Sequence, residues 1–390
     1  MKKKSIFVSG WRGIPHSYAV ATQFWCLEML GRPELQLYFE DVPFWRANWH
    51  TEKGLFEPEN EGKLAAIPPL PARVRPDAEL RTAFPSDLVS PPRADKVCVF
   101  STSEFGTFPA GSITDQIPLD EAHRLHDGIF EIVTSSVWSR NGYLTSGADP
   151  TRVRLIPLGV DPSIFYPPRR KQRDAARAKY KIADDDFVFL NIGAMTENKG
   201  IARILRAFCA ILETHPNARL LLKGLEALYP SYEMFKGTMM ASVGVANLGR
   251  LFSRLTYIGG SMSFREVAEL HHAADCYVSP YGAEGFNLPA LEAVASGLPL
   301  ICTSGGPTDD FTTEDFSLRI RSEVIKGRVS GGDASWFAPD EAHLRELMER
   351  VIIDKQFRNK ASVAGPRHVA EGFLWSHSVD KLLDVMFPRS

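Results

Sequence analysis

Short, wholly apolar runs alternate with helical patterns along this chain, and that alternation limits its fold more than any other feature. In the second half, Phe187–Ile192, 218–222, Leu255–Ile258, Cys276–Ser279 and Leu300–Thr303 read as strands. Residues 200–214, 264–274 and 289–296 read as helices between them. The first half has the same grammar. Residues 6–8, Val97–Phe100, 129–133 and 153–156 read as strands. Ser17–Leu30 reads as a helix with an apolar face, stopped by Gly31. Ser135 or Ser136 is placed to cap a helix carrying Trp138 and Arg140. Eight prolines between 57 and 95 speak against long helices there. Continuous apolar strands separated by helices imply parallel sheets covered on both faces. The fold class read from this is α/β, with two doubly wound, Rossmann-like domains, one per half.

At 390 residues the chain is long enough for two or three domains without disulfide or metal staples. Its five cysteines are odd in number, widely spaced and set in apolar stretches, and they read as reduced core residues of a cytoplasmic protein. With 45 basic and 47 acidic residues the net charge is −2, which excludes broad coating of nucleic acid. No apolar run approaches the roughly 18 residues of a membrane span. Three lysines precede Ile6, but the apolar run after them is too short for a secretory signal and reads as a strand behind a flexible basic tip. A basic run from Arg169 to Lys181 reads as a solvated interdomain connector followed by a surface helix.

In doubly wound folds, ligands bind beyond the carboxyl ends of the strands. Three strand ends carry the chemistry. The segment Glu284-Gly285-Phe286-Asn287-Leu288-Pro289-Ala290-Leu291-Glu292 opens a helix, with Pro289 suited to its first turn. The amides of Gly285 to Leu288 there favour an anion. Glu284 and Glu292 flank that anion site, as suits a ligand that also carries hydroxyls. They equally read as glutamates stabilising the positive end of a helix. Lys199, in the loop after the 187–192 strand, can neutralise a phosphate at the next helix mouth, or be simply solvated. In Gly10-Trp11-Arg12-Gly13-Ile14-Pro15-His16, Gly13 would admit close backbone approach to a ligand, and His16 reads as a ligand contact or a loop histidine. Dinucleotide-binding, P-loop and HExxH patterns are absent.

Taken in order, these segments resemble the retaining GT-B glycosyltransferases of family 4. The resemblance rests on EGFNLPALEA and the preceding Ala274-Asp275-Cys276-Tyr277-Val278-Ser279-Pro280, on Gly297-Leu298-Pro299-Leu300-Ile301, on Ile156-Pro157-Leu158-Gly159-Val160-Asp161, on Lys199-Gly200 and on Phe373-Leu374-Trp375. It covers residues 150–375 strongly and 1–150 weakly.

This resemblance implies a GT-B architecture, two domains facing a central cleft that closes over the donor. The first would span 1–165, with a C-terminal helix within 373–390 crossing back to it; the second, 166–372, would bind the nucleotide sugar. It implies transfer of a sugar from a nucleotide diphosphate donor to the hydroxyl of a sugar, lipid-linked or protein-linked acceptor, with no metal and no cofactor beyond that co-substrate. Membrane contact would be peripheral at most.

The implied roles follow. Glu284 contacts donor sugar hydroxyls and Glu292 the ribose. The amides of Gly285, Phe286, Asn287 and Leu288 hold the diphosphate with Lys199 and Gly13, and Ile258 lies by the nucleobase. Where the family has an arginine before the lysine, this chain has Ala194, so Lys223 or Arg12 is the replacement cation. On the acceptor side stand His16 and Glu104, the latter in Ser101-Thr102-Ser103-Glu104-Phe105-Gly106, with Asp115 a weaker substitute. Glu104 reads as an acceptor-hydroxyl partner or a surface glutamate. Trp11, Phe44, Trp45 and Trp49 read as an acceptor platform or as core and cover. The rival activities are a phosphorylase, a nucleotide-sugar epimerase and a catalytically silent scaffold, the last supported by Ala194.

Overall fold

The computed structural model describes residues 3–329 and 332–388. The chain forms two units. One comprises Met1–Gly159, Lys326–Ser335 and Leu374–Ser390, the other Val160–Ile325 and Trp336–Phe373.

The first unit is built on strands β1 (Lys4–Gly10), β2 (Leu35–Asp41), β3 (Ala78–Thr82), β4 (Val97–Phe100), β5 (Phe130–Thr134) and β6 (Val153–Leu155). All pair in parallel, in the order β2-β1-β3-β4-β5-β6. The basic tip expected ahead of residue 6 is shorter than read: Lys4 and Ser5 already belong to β1, and Met1 and Lys2 lie outside the described residues.

Ser17–Leu30 is helical as read, but buried almost all round from Tyr18 to Cys26 rather than on one face. The reason is a second cover, the C-terminal Trp375–Met386 helix. Trp25 Nε1 donates to Ser378 Oγ at 2.8 Å, and Phe24 stacks on Trp375 with ring centroids 5.1 Å apart.

In this unit two strands escaped the sequence pattern. β2 carries its apolar residues on one face only. β3 hides in the proline-rich stretch because its pattern is charged: Glu79 and Arg81 are both buried at the centre of the sheet. Arg81 Nε donates to Glu79 Oε1 at 2.8 Å. The rest of its guanidinium donates to the carbonyls of Asp87, Ser90 and Pro91 at 3.1 Å each. A buried charge is tolerated only when so completely partnered, and here it also pins the following loop.

The second unit carries β7 (Phe187–Ile192), β8 (Ala218–Lys223), β9 (Leu255–Ile258), β10 (Cys276–Ser279), β11 (Leu300–Thr303) and β12 (Ser317–Ile320). They too are parallel, in the order β12-β11-β10-β7-β8-β9. Ile204, Leu205 and Phe208, on one stripe of the Ile201–Thr214 helix, join Phe189, Leu220 and Leu222 in the core.

The basic run is only partly a solvated face. Arg169, Arg170 and Lys171 are exposed, but Arg173 and Arg177, on the Arg170–Lys179 helix, turn inward to Asp275 at 2.6 and 3.2 Å. Asp275 also accepts from the Val188 amide at 2.9 Å, so this cluster joins β7 to the segment entering β10. Strands Ser322–Val329 and Gly332–Pro339 form a separate two-stranded sheet that the sequence pattern did not suggest.

All five cysteines are buried and free. Burial pushes the Cys26, Cys98 and Cys302 thiols up to about 12, so they remain inert thiols. Among the described residues, no helix is long and apolar enough to cross a membrane.

Candidate functional site

In the second unit the winding reverses between β7 and β10, since β8 and β9 lie to one side of β7 and β11 and β12 beyond β10. That is the switch point at which an open α/β sheet offers a ligand crevice. The loops leaving β7 and β10 bring Lys199 and Glu284 together: Nζ lies 2.8 Å from Oε1, with side chains 21% and 11% exposed. The loops are fastened beside this pair. The Asn198 carbonyl accepts from the Gly282 amide at 2.7 Å, and Asn198 Nδ2 donates to the Ala283 carbonyl at 3.1 Å. Gly200 has φ +74°, and a Cβ there would stand 2.1 Å from the Pro280 carbonyl, so only glycine allows this approach. The Phe337 amide, from the separate two-stranded sheet, donates to the Gly282 carbonyl at 2.6 Å.

Sequence reasoning passed over Asn198, although it stands directly before the lysine it positions. Asn198→Ala is expected to cost roughly 1 kcal/mol of stability, the worth of one hydrogen bond, as read by thermal scanning. An unchanged midpoint would show that the loops hold their spacing without it.

The helix after β10 begins at Leu288, one residue earlier than the proline suggested, and runs to Ala295. Asn287 caps it from a left-handed conformation, φ 79°. Its Oδ1 accepts from the Ala290 amide at 3.3 Å, and its Nδ2 donates to Ser279 Oγ at 2.9 Å, tying the helix mouth to the end of β10. Among the described residues, the amides of Phe286, Asn287 and Leu288 donate to no carbonyl or side chain. Orphan amides at a helix start, with the helix dipole behind them, favour an anion. One turn further, Glu292 is buried with no hydrogen bond or ion pair to its carboxyl group among the described residues, and burial raises its pKa to about 8. A buried carboxyl group without a partner is ready to accept hydrogen bonds from ligand hydroxyls.

Lys223 ends β8 and is buried, its Nζ on the Gly224 carbonyl. It pairs with Ile192 across the sheet, and its carbonyl accepts from the Gly193 amide at 2.9 Å, next to Ala194. Ile258 ends the edge strand β9, and its carbonyl accepts from the Gly224 amide at 2.8 Å. Beside it, Tyr257 stacks on Phe235 and donates from its hydroxyl to Glu226 at 2.6 Å. Burial and that carboxylate raise the Tyr257 pKa.

The remaining expected residues lie in the first unit. Gly13 has φ +74° as its loop requires, but its amide donates to Gln23 Oε1 at 2.9 Å and is not open to a diphosphate. Arg12 is likewise engaged, in a bidentate pair with Asp41 at 2.8 and 2.7 Å. His16 caps the Ser17–Leu30 helix, Nδ1 accepting from the Tyr18 amide at 3.3 Å, with its ring 5.2 Å from both Trp11 and Trp49. Glu104 is half-buried after β4, and its carbonyl accepts from Trp138 Nε1 at 2.9 Å. Asp115 is exposed. Trp11 and Trp49 are buried, Phe44 is half-buried and Trp45 is exposed. Among the described residues, no group of three or more His, Cys, Asp and Glu side chains is placed to hold a metal ion.

Two parallel α/β units with an anion-favouring crevice at a switch point define the GT-B class of fold, and solved structures agree. A Rickettsia africae glycosyltransferase matches with a TM-score of 0.73 at 13% identity, over 99% of this chain and 100% of that one. The Anabaena HepE protein, solved with UDP and glucose, matches with a TM-score of 0.70 at 11% identity, over 99% and 100%. A family model, glycosyl transferases group 1, matches residues 172–366, and the chain belongs to that family. A D-inositol 3-phosphate glycosyltransferase of Catenulispora acidiphila is 31% identical over 241 residues, covering 61% of this chain and 52% of the relative. The chain spans about half the length of the curated relatives it matches.

Proposed function

We propose that this chain is a cytoplasmic, retaining glycosyltransferase that moves a sugar from a nucleoside diphosphate to an acceptor hydroxyl. The observation that carries the reading is the Lys199–Glu284 pair beside the open amides of Phe286 to Leu288 at the switch point. In this reading the amides and Lys199 bind the diphosphate, with Lys223 as the second cation. Glu292 accepts from the ribose, Ile258 borders the base, and Glu284 turns from Lys199 to the donor sugar's hydroxyls. As the bond from the anomeric carbon to the phosphate oxygen breaks, its electron pair passes to the diphosphate. Lys199 and the amides stabilise that growing charge, so the chemistry proceeds without a divalent metal. The acceptor oxygen bonds to the anomeric carbon on the face the diphosphate leaves. Glu104 and His16, in the first unit, are the acceptor-side residues, and the proton released goes to Glu104 or to the departing diphosphate.

UDP bound to the Anabaena protein of the same fold and the sugar transfer named for the Catenulispora relative support this reading. The test is a thermal-shift panel of UDP, GDP, ADP, TDP and CMP, each with and without magnesium. A ligand at a hundred times its Kd stabilises by about 2.7 kcal/mol. One diphosphate is expected to raise the midpoint equally with and without magnesium, and its sugar conjugates then to turn over only when an acceptor is supplied. Turnover with free phosphate would mark a phosphorylase, and conversion without acceptor an epimerase. No binding and no turnover would leave a silent scaffold.

A further inference from the structure

The sheet of the second unit comes apart at its centre. β7 pairs with β8 over Phe187–Ile192, and β10 pairs with β11 through Ser279, so both strands keep their outer neighbours to the end. Among the described residues they pair with each other at Cys276 with Phe189 and Tyr277 with Leu190 alone. The Gly193 amide donates to Lys223 in β8, and the Tyr277 amide to Pro299 just before β11. The main-chain groups of Ile192 and Val278, one residue away in each strand, therefore face the other way, toward each other's strand. In this register the next two hydrogen bonds would run from the Ile192 amide to the Val278 carbonyl, and from the amide of residue 280 to the Ile192 carbonyl. Residue 280 is proline and has no amide hydrogen.

Side chains take both places. Asn191 Nδ2 donates to the Val278 carbonyl at 2.7 Å. The Tyr277 hydroxyl accepts from the Ile192 amide and donates to the Ile192 carbonyl, at 3.2 Å each, as a neighbouring strand would. Both side chains are buried. Asn191 Oδ1 has no partner among the described residues, and a buried acceptor without a donor is destabilising. Burial, and after it the carboxylates of Glu284 and Glu292, raise the Tyr277 pKa, so the hydroxyl keeps the proton it donates. Leucine and phenylalanine would fill these two places at lower cost if the Ile192 amide met the Val278 carbonyl directly.

We infer that Asn191 and Tyr277 are positioning residues that hold β7 and β10 apart at the switch point, so that Lys199, on the loop of one strand, and the amides of Phe286 to Leu288, on the loop of the other, admit a diphosphate between them. The role toward a diphosphate rests on the glycosyl-transfer reading above; the separation of the strands does not. Without these two side chains the Ile192 amide and the Val278 carbonyl satisfy each other, and the crevice narrows at its floor.

Tyr277→Phe, Asn191→Leu and the double variant test this by thermal scanning and by isothermal titration with UDP, GDP, ADP and TDP in turn. Each single substitution leaves main-chain groups unpaired and is expected to lower the melting midpoint by roughly 2–4 °C. The double variant frees the Ile192 amide and the Val278 carbonyl together, so its midpoint is expected to fall by less than the two single losses combined. Affinity is expected to move the other way. Whichever diphosphate the parent binds should bind about threefold more weakly to each single variant and about tenfold or more to the double, because the site is no longer preorganised. A merely structural role would not produce that opposition. Ile211→Val, a buried position at the far end of the Ile201–Thr214 helix from Lys199, is expected to lower the midpoint with affinity unchanged. Unchanged affinity in Tyr277→Phe, which loses a single oxygen atom, would overturn the proposal while the transfer reading stands, and that variant decides the matter if the leucine variants do not fold. Midpoint losses that simply add would overturn it too. If the parent binds none of the four diphosphates, the transfer reading fails and the role toward a diphosphate with it, while a double variant that loses less than the sum still shows the strands held apart by these two side chains.

Discussion

Lys199→Ala is expected to lower turnover about 10²–10³-fold, the usual cost of removing one preorganised stabiliser of developing charge. It should also weaken binding of the bare nucleoside diphosphate, because in this reading Lys199, held by Glu284, is a cation that meets the diphosphate. Glu284→Gln is expected to separate the two effects. In the free protein Glu284 holds Lys199 at 2.8 Å, so a diphosphate has to compete with that carboxylate for the ammonium. The glutamine variant should therefore bind the diphosphate as well as the parent or better, yet lose turnover at least tenfold, since its amide no longer offers the carboxylate's charge-assisted hydrogen bonds to the sugar. Titration calorimetry with the diphosphate and a product-release assay read both quantities. Near-normal turnover in both variants would sink the site assignment. Loss of diphosphate affinity in Glu284→Gln would show that Glu284 only positions Lys199.

The second large effect concerns stability. Among the described residues the buried carboxyl group of Glu292 has no hydrogen-bond or ion-pair partner, and its pKa is raised from the usual glutamate range to about 8. The folded chain thus keeps a proton that the unfolded chain has already released above its ordinary carboxyl range. With more protons bound in the folded state, stability falls as pH rises between about 4.5 and 8 and levels off above. Glu292→Gln removes that dependence. The variant is expected to match the parent near pH 5 and to exceed it near pH 9 by an amount on the order of a few kcal/mol. Thermal scans at the two pH values check it. A parent midpoint that is equal to the variant's at pH 9 would mean that Glu292 is hydrated or partnered in solution. The gain in stability is expected to come with weaker nucleoside diphosphate binding, the common exchange where a functional group is kept in an unfavourable place.

Residues 184–303 show how far local pattern reached. β7, β10 and β11 match the apolar runs residue for residue, because a strand covered on both faces has to be apolar throughout, and the half-buried edge strand β9 matches as well. The same rule failed at β3, where Glu79 and Arg81 satisfy each other inside the sheet and so mimic a surface segment. It failed again at Arg173 and Arg177, whose partner Asp275 lies about a hundred residues away in the chain. The separate two-stranded sheet had no such signal, since most of Ser322–Val329 faces solvent.

The candidate site divides in the same way. The residue types at the strand ends, and the order of the segments that carry them, were determined by the sequence, because strand ends are marked locally by glycine, proline and charge. Which of those groups meet was decided only by the tertiary structure. It set Lys199 against Glu284 across 85 residues, left the amides of Phe286 to Leu288 open, and closed the amide of Gly13 on Gln23 and the guanidinium of Arg12 on Asp41. Local sequence carries propensity and burial pattern. Whether a polar group is already satisfied depends on neighbours brought in by the sheet order, and that order is a property of the whole chain.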